Sequence, residues 1–129
     1  MTSELIYLAA ISLITGLMWV PYITNTILVR GVMDAVGYPD NAKPLSPWAQ
    51  RMKKAHANAV ENLVVFAALI LTAHALQISN EATITASMLY FWARVIHFIV
   101  YTFKIPWART LAFVGGVVAQ VMVALQILS

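Results

Sequence analysis

Four long apolar stretches alternate with short polar ones along this chain. Leu5–Val29 is interrupted only by Gly16, Pro21 and a few small polar residues. Ala55–Leu76 carries Asn58, Glu61, Asn62 and His74, and Thr83–Phe103 and Pro106–Leu128 complete the set. Each is close to the roughly 20 residues that a helix needs to cross about 30 Å of hydrocarbon. The pattern predicts four transmembrane helices over approximately 5–29, 55–76, 83–103 and 106–128. Between them, Gly31–Lys54 contains Gly37, Pro39, Pro44 and Pro47 and reads as a polar loop with turns. Asn80 and Glu81 mark a very short second connection, with Ser79 or Asn80 as the cap. Lys104–Pro106 is a tight third turn, with Pro106 suited to the first turn of the last helix. Short connections make consecutive helices antiparallel neighbours. The expected fold is an all-α membrane protein, a four-transmembrane-helix up-down bundle forming one domain over residues 1–129.

Composition agrees with a lipid-facing surface. Hydrophobic residues make up 61% of the chain and charged residues 10%, with a mean hydropathy of +0.79. A soluble domain carries about a quarter of its residues as charges. The net charge of +3 is small and the basic residues form no long run, which argues against a nucleic-acid partner. Cysteine is absent, so disulfides, cysteine-ligated metals and a cysteine nucleophile are excluded, and any thiol chemistry must use a thiol brought by a ligand. Glu4 stands where a signal peptide would place basic residues, and the apolar run behind it is too long for one. It reads as the first span.

Positive charge orients the bundle. Arg30, Lys43, Arg51, Lys53 and Lys54 border or occupy the first loop, and Lys104 and Arg109 flank the third turn; the N-terminal tip, second loop and C-terminus have none. The positive-inside rule places loops one and three in the cytoplasm and both termini on the other side. Compact loops and the lack of retention signals suggest a bacterial inner membrane.

Two helices depart from the apolar rule in an ordered way. An ionisable group in a span costs roughly 2.5–3.5 kcal/mol, so it needs partners or a function. At about 100° per residue, Lys54, Asn58 and Glu61 fall within about 60° of one another, flanked by Arg51 and Asn62. On the third helix Tyr90, Arg94, His97 and Tyr101 share a stripe that Lys104 extends, with Arg109 close by. One reading is interhelical glue, with Glu61 paired to Arg94 and Asn58 bonded to Tyr101. The other is a polar cavity at the cytoplasmic side, where Arg51, Lys54, Lys104 and Arg109 outnumber Glu61 and attract a small acidic ligand. His56 faces away from the stripe, which suits packing; His74 sits near the outer interface. The three histidines lack metal-ligand spacing, so no metal is expected. Trp19, Trp48, Trp92 and Trp107 suit anchoring or packing, and Gly115 and Gly116 permit close helix approach.

These motifs resemble a known family. Lys54–Asn62 (KAHANAVEN), followed by Phe66, resembles the R-A-x-x-N-x-x-E signature of MAPEG proteins, the membrane-associated proteins in eicosanoid and glutathione metabolism. Ala93–Tyr101 (ARVIHFIVY) resembles the family's A-R-x-x-[HY]-x-x-x-Y, and Arg109 follows as the family's arginine does. Lys54 replaces the leading arginine; it keeps the charge but lacks the bidentate fork, which Arg51 one turn earlier can supply. The resemblance implies a homotrimer with glutathione as co-substrate, bound between subunits near the cytoplasmic face. Asn58 and Glu61 would hold the polar backbone of glutathione, with His56 and Asn62 within reach. Arg94, His97 and Tyr101 match third-helix site positions, Arg109 would stabilise the thiolate, and Arg30 of a neighbour would meet a carboxylate. Arg109 and Tyr101 are the implied catalytic pair.

The implied activity is that of a membrane glutathione S-transferase or peroxidase, directing a thiolate at hydrophobic electrophiles or lipid hydroperoxides that arrive through the bilayer. Its alternative is a non-catalytic membrane binding or scaffold protein of the same fold. A small transporter fits less well, since no inverted repeat or discontinuous helix pair is evident.

Overall fold

Residues 1–129 are described by a computed structural model in which every regular element is helical. In chain order they are α1 (Ser3–Leu17), α2 (Trp19–Arg30), α3 (Val32–Val36), α4 (Pro47–Ala75), α5 (Glu81–Thr102) and α6 (Ala108–Leu128). Four segments are long and apolar enough to cross a membrane: Ser3–Arg30, Pro47–Ala75, Glu81–Thr102 and Ala108–Leu128. They run up, down, up and down. One end of the bundle, the terminal end, holds the starts of α1 and α5 and the ends of α4 and α6. The other holds Arg30, Lys104 and Arg109 and is the basic end.

The first span is broken rather than continuous. Pro21 has no N–H to offer the Leu17 carbonyl and its ring crowds that turn, so the helix interrupts at Met18. The Met18 N–H turns to the Thr15 carbonyl at 3.3 Å. The second span starts eight residues before the apolar run does. Pro47 occupies the first turn of α4, where its missing N–H leaves nothing unsatisfied. The Asn25 amide clamps the preceding Ser46, donating to its Oγ at 2.9 Å and accepting from its N–H at 3.0 Å. Residues expected in a loop, Pro47 to Lys54, are therefore helical. At 29 residues, α4 is about 44 Å long and overruns the hydrocarbon thickness.

Caps set the short connections. Asn80 forms a reciprocal capping box with Thr83, accepting the Thr83 N–H at 3.0 Å while its own N–H donates to Thr83 Oγ1 at 2.9 Å. Gln77 and Lys104, both at φ 58°, close α4 and α5 in left-handed turns. The Ile78 N–H reaches the Ala73 carbonyl and the Ile105 N–H the Val100 carbonyl, the Schellman arrangement. Pro106 lies outside α6, not in its first turn. Trp107 takes φ 65°, and the Ala108 N–H reaches back to the Pro106 carbonyl at 2.7 Å. This is a γ-turn of the strained, positive-φ kind.

Packing depends on small residues. In lipid no hydrophobic gain separates helix from helix, so close approach carries the association. Ala59, Ala73, Ala86, Ala93, Ala119 and Gly116 are buried at the contacts. α5 and α6 make the most extensive one. A Cβ on Gly116 would meet Arg94 Cδ at 3.4 Å, and one on Gly115 would meet Ala93 Cβ at 3.5 Å. Phe66 stacks flat on Tyr90, ring centroids 3.8 Å apart, inside a cluster with Leu8, Ile11, Ile70 and Val123. A smaller cluster of Tyr22, Leu45, Ala49 and Met52 ties α2 to α4 at the basic end.

Candidate functional site

The polar stripe on α4 divides between two surfaces. Its Arg51–Asn58–Asn62 flank turns toward α5 and α6, while Lys54 and Glu61 lie exposed on the outer side. Asn58 receives the guanidinium of Arg94, Nη2 to Oδ1, at 2.6 Å. The same nitrogen lies 3.4 Å from His97 Nδ1. Arginine offers only donors, so Nδ1 accepts and a neutral His97 ring carries its proton on Nε2. Asn62 donates to the Asn58 carbonyl at 2.9 Å, and Gln120 of α6 donates to the Asn62 carbonyl at 3.2 Å. These bonds cross three helices. The Glu61–Arg94 and Asn58–Tyr101 pairings weighed from the sequence do not form, because Asn58 lies deeper toward Arg94 and takes its hydrogen bond. Arg94 is 1% exposed, and its Nε and Nη1, like the Tyr90 hydroxyl, meet no protein partner.

Toward the basic end, Asn58, His97, Tyr101, Arg109, Thr110 and Phe113 surround a recess of about 350 Å³. The Arg109 guanidinium carbon lies 4.7 Å from the Tyr101 ring centroid, and the Tyr101 ring meets His97 edge-on at 5.6 Å. Tyr101 and Arg109 also wall a second recess of about 290 Å³, with Arg51, Val100, Lys104 and Ile105. Arg51 is anchored there by its Nε, which donates to the Thr102 carbonyl at 2.9 Å. The two recesses share one aromatic and one guanidinium group. Three cations line them, so they form an electropositive basin able to receive an anion.

Other sequence candidates fall elsewhere in the chain. Lys54 lines a separate recess of about 490 Å³ with Arg30 and Lys53, and Arg30 Nε donates to the Lys43 carbonyl at 2.7 Å. His56 is tied to α2, its Nδ1 2.7 Å from the Tyr22 hydroxyl, which is a packing contact. Thr110 and Phe113 line the recess but were not singled out in the sequence. Phe113 lies one turn beyond Arg109, so helix arithmetic from that arginine reaches it; Thr110 gives no comparable signal.

The sequence model of the MAPEG family matches residues 6–129. The chain belongs to the MAPEG family. No curated protein and no solved structure matches it. Membership makes it a multi-pass membrane protein of the glutathione and eicosanoid metabolism kind, in agreement with its four apolar helices. Within this MAPEG chain, the two motif segments of α4 and α5 meet at the basic recess through Asn58, His97 and Tyr101, joined by Arg109 from α6.

Proposed function

We propose that the basic recess binds glutathione and ionises its thiol for attack on hydrophobic electrophiles or lipid hydroperoxides. One observation carries the reading: Asn58, His97, Tyr101 and Arg109, from three helices, surround a single recess in a chain of a glutathione-associated family. A free thiol has a pKa of about 8.5 and is mostly protonated at neutral pH, and an adjacent guanidinium favours the thiolate. Arg109, whose guanidinium carbon lies 4.7 Å from the Tyr101 ring centroid, is the group assigned this role. With an electrophilic carbon, the thiolate sulfur forms the new C–S bond and the leaving group departs with its electron pair. With a hydroperoxide, sulfur attacks the terminal oxygen and the O–O bond breaks. The alkoxide takes a proton, and a second glutathione converts the sulfenic acid to disulfide and water.

Phe113 also belongs to an apolar groove along α6, with Val114, Val117, Val118, Val121 and Met122. That groove gives a lipid-borne substrate a route from the bilayer to the recess. Glu61 and Arg30 serve the site of a neighbouring copy in a homotrimer. An exposed carboxylate on a spanning helix is costly against lipid, so a protein surface is its natural cover.

The test is turnover of detergent-purified protein with glutathione and an aryl halide. Wild type is expected to turn over and Arg109→Ala to lose most of the rate while remaining folded. Unchanged turnover in Arg109→Ala removes that residue from the chemistry. A second reading, a non-catalytic binding or scaffold protein, draws on the hydrogen bonds linking Arg94, Asn58, Asn62 and Gln120, which join helices without any ligand. It predicts no turnover with any electrophile.

A further inference from the structure

At the terminal end, far from the basic recess, Glu4 of α1 is 4% exposed. Its Oε1 accepts two hydrogen bonds, from Thr83 Oγ1 at 2.7 Å and Ser79 Oγ at 2.9 Å. Its Oε2 is buried and has no protein partner. A buried carboxylate oxygen left without a donor is costly, more so than a neutral group. All eight Lys and Arg residues of the chain lie elsewhere: none is in α1, in the second half of α4 or in the first half of α5. The protein surrounds this carboxylate with hydroxyl groups, Thr2 among them, and with no Lys or Arg.

Glu4 lines a cavity of about 300 Å³ between α1, the end of α4 and the α4–α5 turn. Ile70, Ala73 and Ile78 give it an apolar wall, and His74 and Gln77 give it a polar rim. No three metal-ligating side chains gather here, and a single carboxylate beside an apolar wall is a poor metal site. A primary ammonium group fits better. It carries a positive charge, brings three N–H donors for Oε2 and the rim, and its attached chain can lie along the isoleucines. The last turn of α4 and the first of α5 lie at the edge of the membrane-spanning region, where lipid headgroups sit.

The geometry points to a second binding site in this cavity, for a primary ammonium group on an apolar chain, with Glu4 as its anion. The ammonium can come from an aminophospholipid of the surrounding leaflet or from a free amphiphilic amine. Native mass spectrometry of the detergent-purified full chain, offered equal phosphatidylethanolamine and phosphatidylcholine, tests it. The expected result is a roughly tenfold excess of bound phosphatidylethanolamine, the discrimination one charge-assisted hydrogen bond gives. Choline's quaternary nitrogen has no N–H to donate. Glu4→Gln keeps the size and the Oε1 acceptor, and is expected to abolish the excess. Equal binding of the two lipids by wild type overturns the proposal even if the variant fails to fold, and so does an excess that persists in folded Glu4→Gln. Dodecylamine separates the sources: displacement of the lipid shows that the free amine suffices, and retention of the lipid identifies the aminophospholipid as the ligand.

Discussion

The guanidinium of Arg109 rests 4.7 Å from the centre of the Tyr101 ring, joining the first turn of α6 to the last turn of α5. A cation over an aromatic face is held in place while its N–H groups remain free to meet an anion. The connection between the two helices is only a few residues long and includes the strained Trp107, so this arginine is positioned by backbone geometry as well as by the ring. Turnover of Arg109→Ala at neutral pH is expected to fall roughly tenfold or more, since each unit of thiol pKa is tenfold in thiolate. Arg109→Lys is expected to retain part of the rate, because it keeps the charge and loses the planar fork.

Asn58 is the principal acceptor for a guanidinium that is 1% exposed. Asn58→Ala leaves that buried charge short of a partner and is expected to cost about 2–3 kcal/mol in unfolding measured in detergent. Adding Arg94→Leu should recover much of the loss, because the stranded charge then disappears. Simple additivity of the two losses would show that Asn58 does not act through Arg94.

Phe66 is fully buried and lies flat against Tyr90. Phe66→Ala opens a cavity in the main cluster and is expected to lower stability by about 3 kcal/mol. Phe66→Leu, which refills most of the space, should cost less than half as much in the same unfolding assay.

Trp107 is 82% exposed, yet its backbone sits at φ 65°. Glycine takes that conformation freely, and a β-branched residue does so at a penalty of about 1–3 kcal/mol. Trp107→Gly is therefore expected to cost little thermal stability despite losing a large side chain, and Trp107→Val to cost more. The reverse order would mean that the indole ring, not the turn, sets stability here.

The spans were legible because lipid imposes its own requirement: a helix must satisfy its backbone internally and show apolar side chains for the thickness of the membrane. That criterion stops where hydrocarbon stops. It finds Ala55–Leu76 but not the two turns of α4 from Pro47 to Lys54, whose Arg51, Lys53 and Lys54 lie beyond it. Pro21 was visible in the first span, but its position alone does not say whether a helix bends or breaks. Helical spacing sets the angular order of Lys54, Asn58 and Glu61 but does not say which neighbour each flank meets. A few tens of degrees decide that Asn58 faces Arg94 while Lys54 and Glu61 face outward. The hydrogen bonding of Glu4 to Ser79 and Thr83 was illegible for another reason: those residues are more than 70 positions apart, and only the assembled bundle brings them together.

The proposed chemistry requires the recess around Arg109 to turn a bound thiol into a thiolate. An ultraviolet difference spectrum of detergent-purified protein with and without glutathione reads this directly. Wild type is expected to show a thiolate absorbance band at neutral pH, strongly diminished in folded Arg109→Ala. Glutathione bound without such a band, or a band of equal size in both proteins, would contradict it.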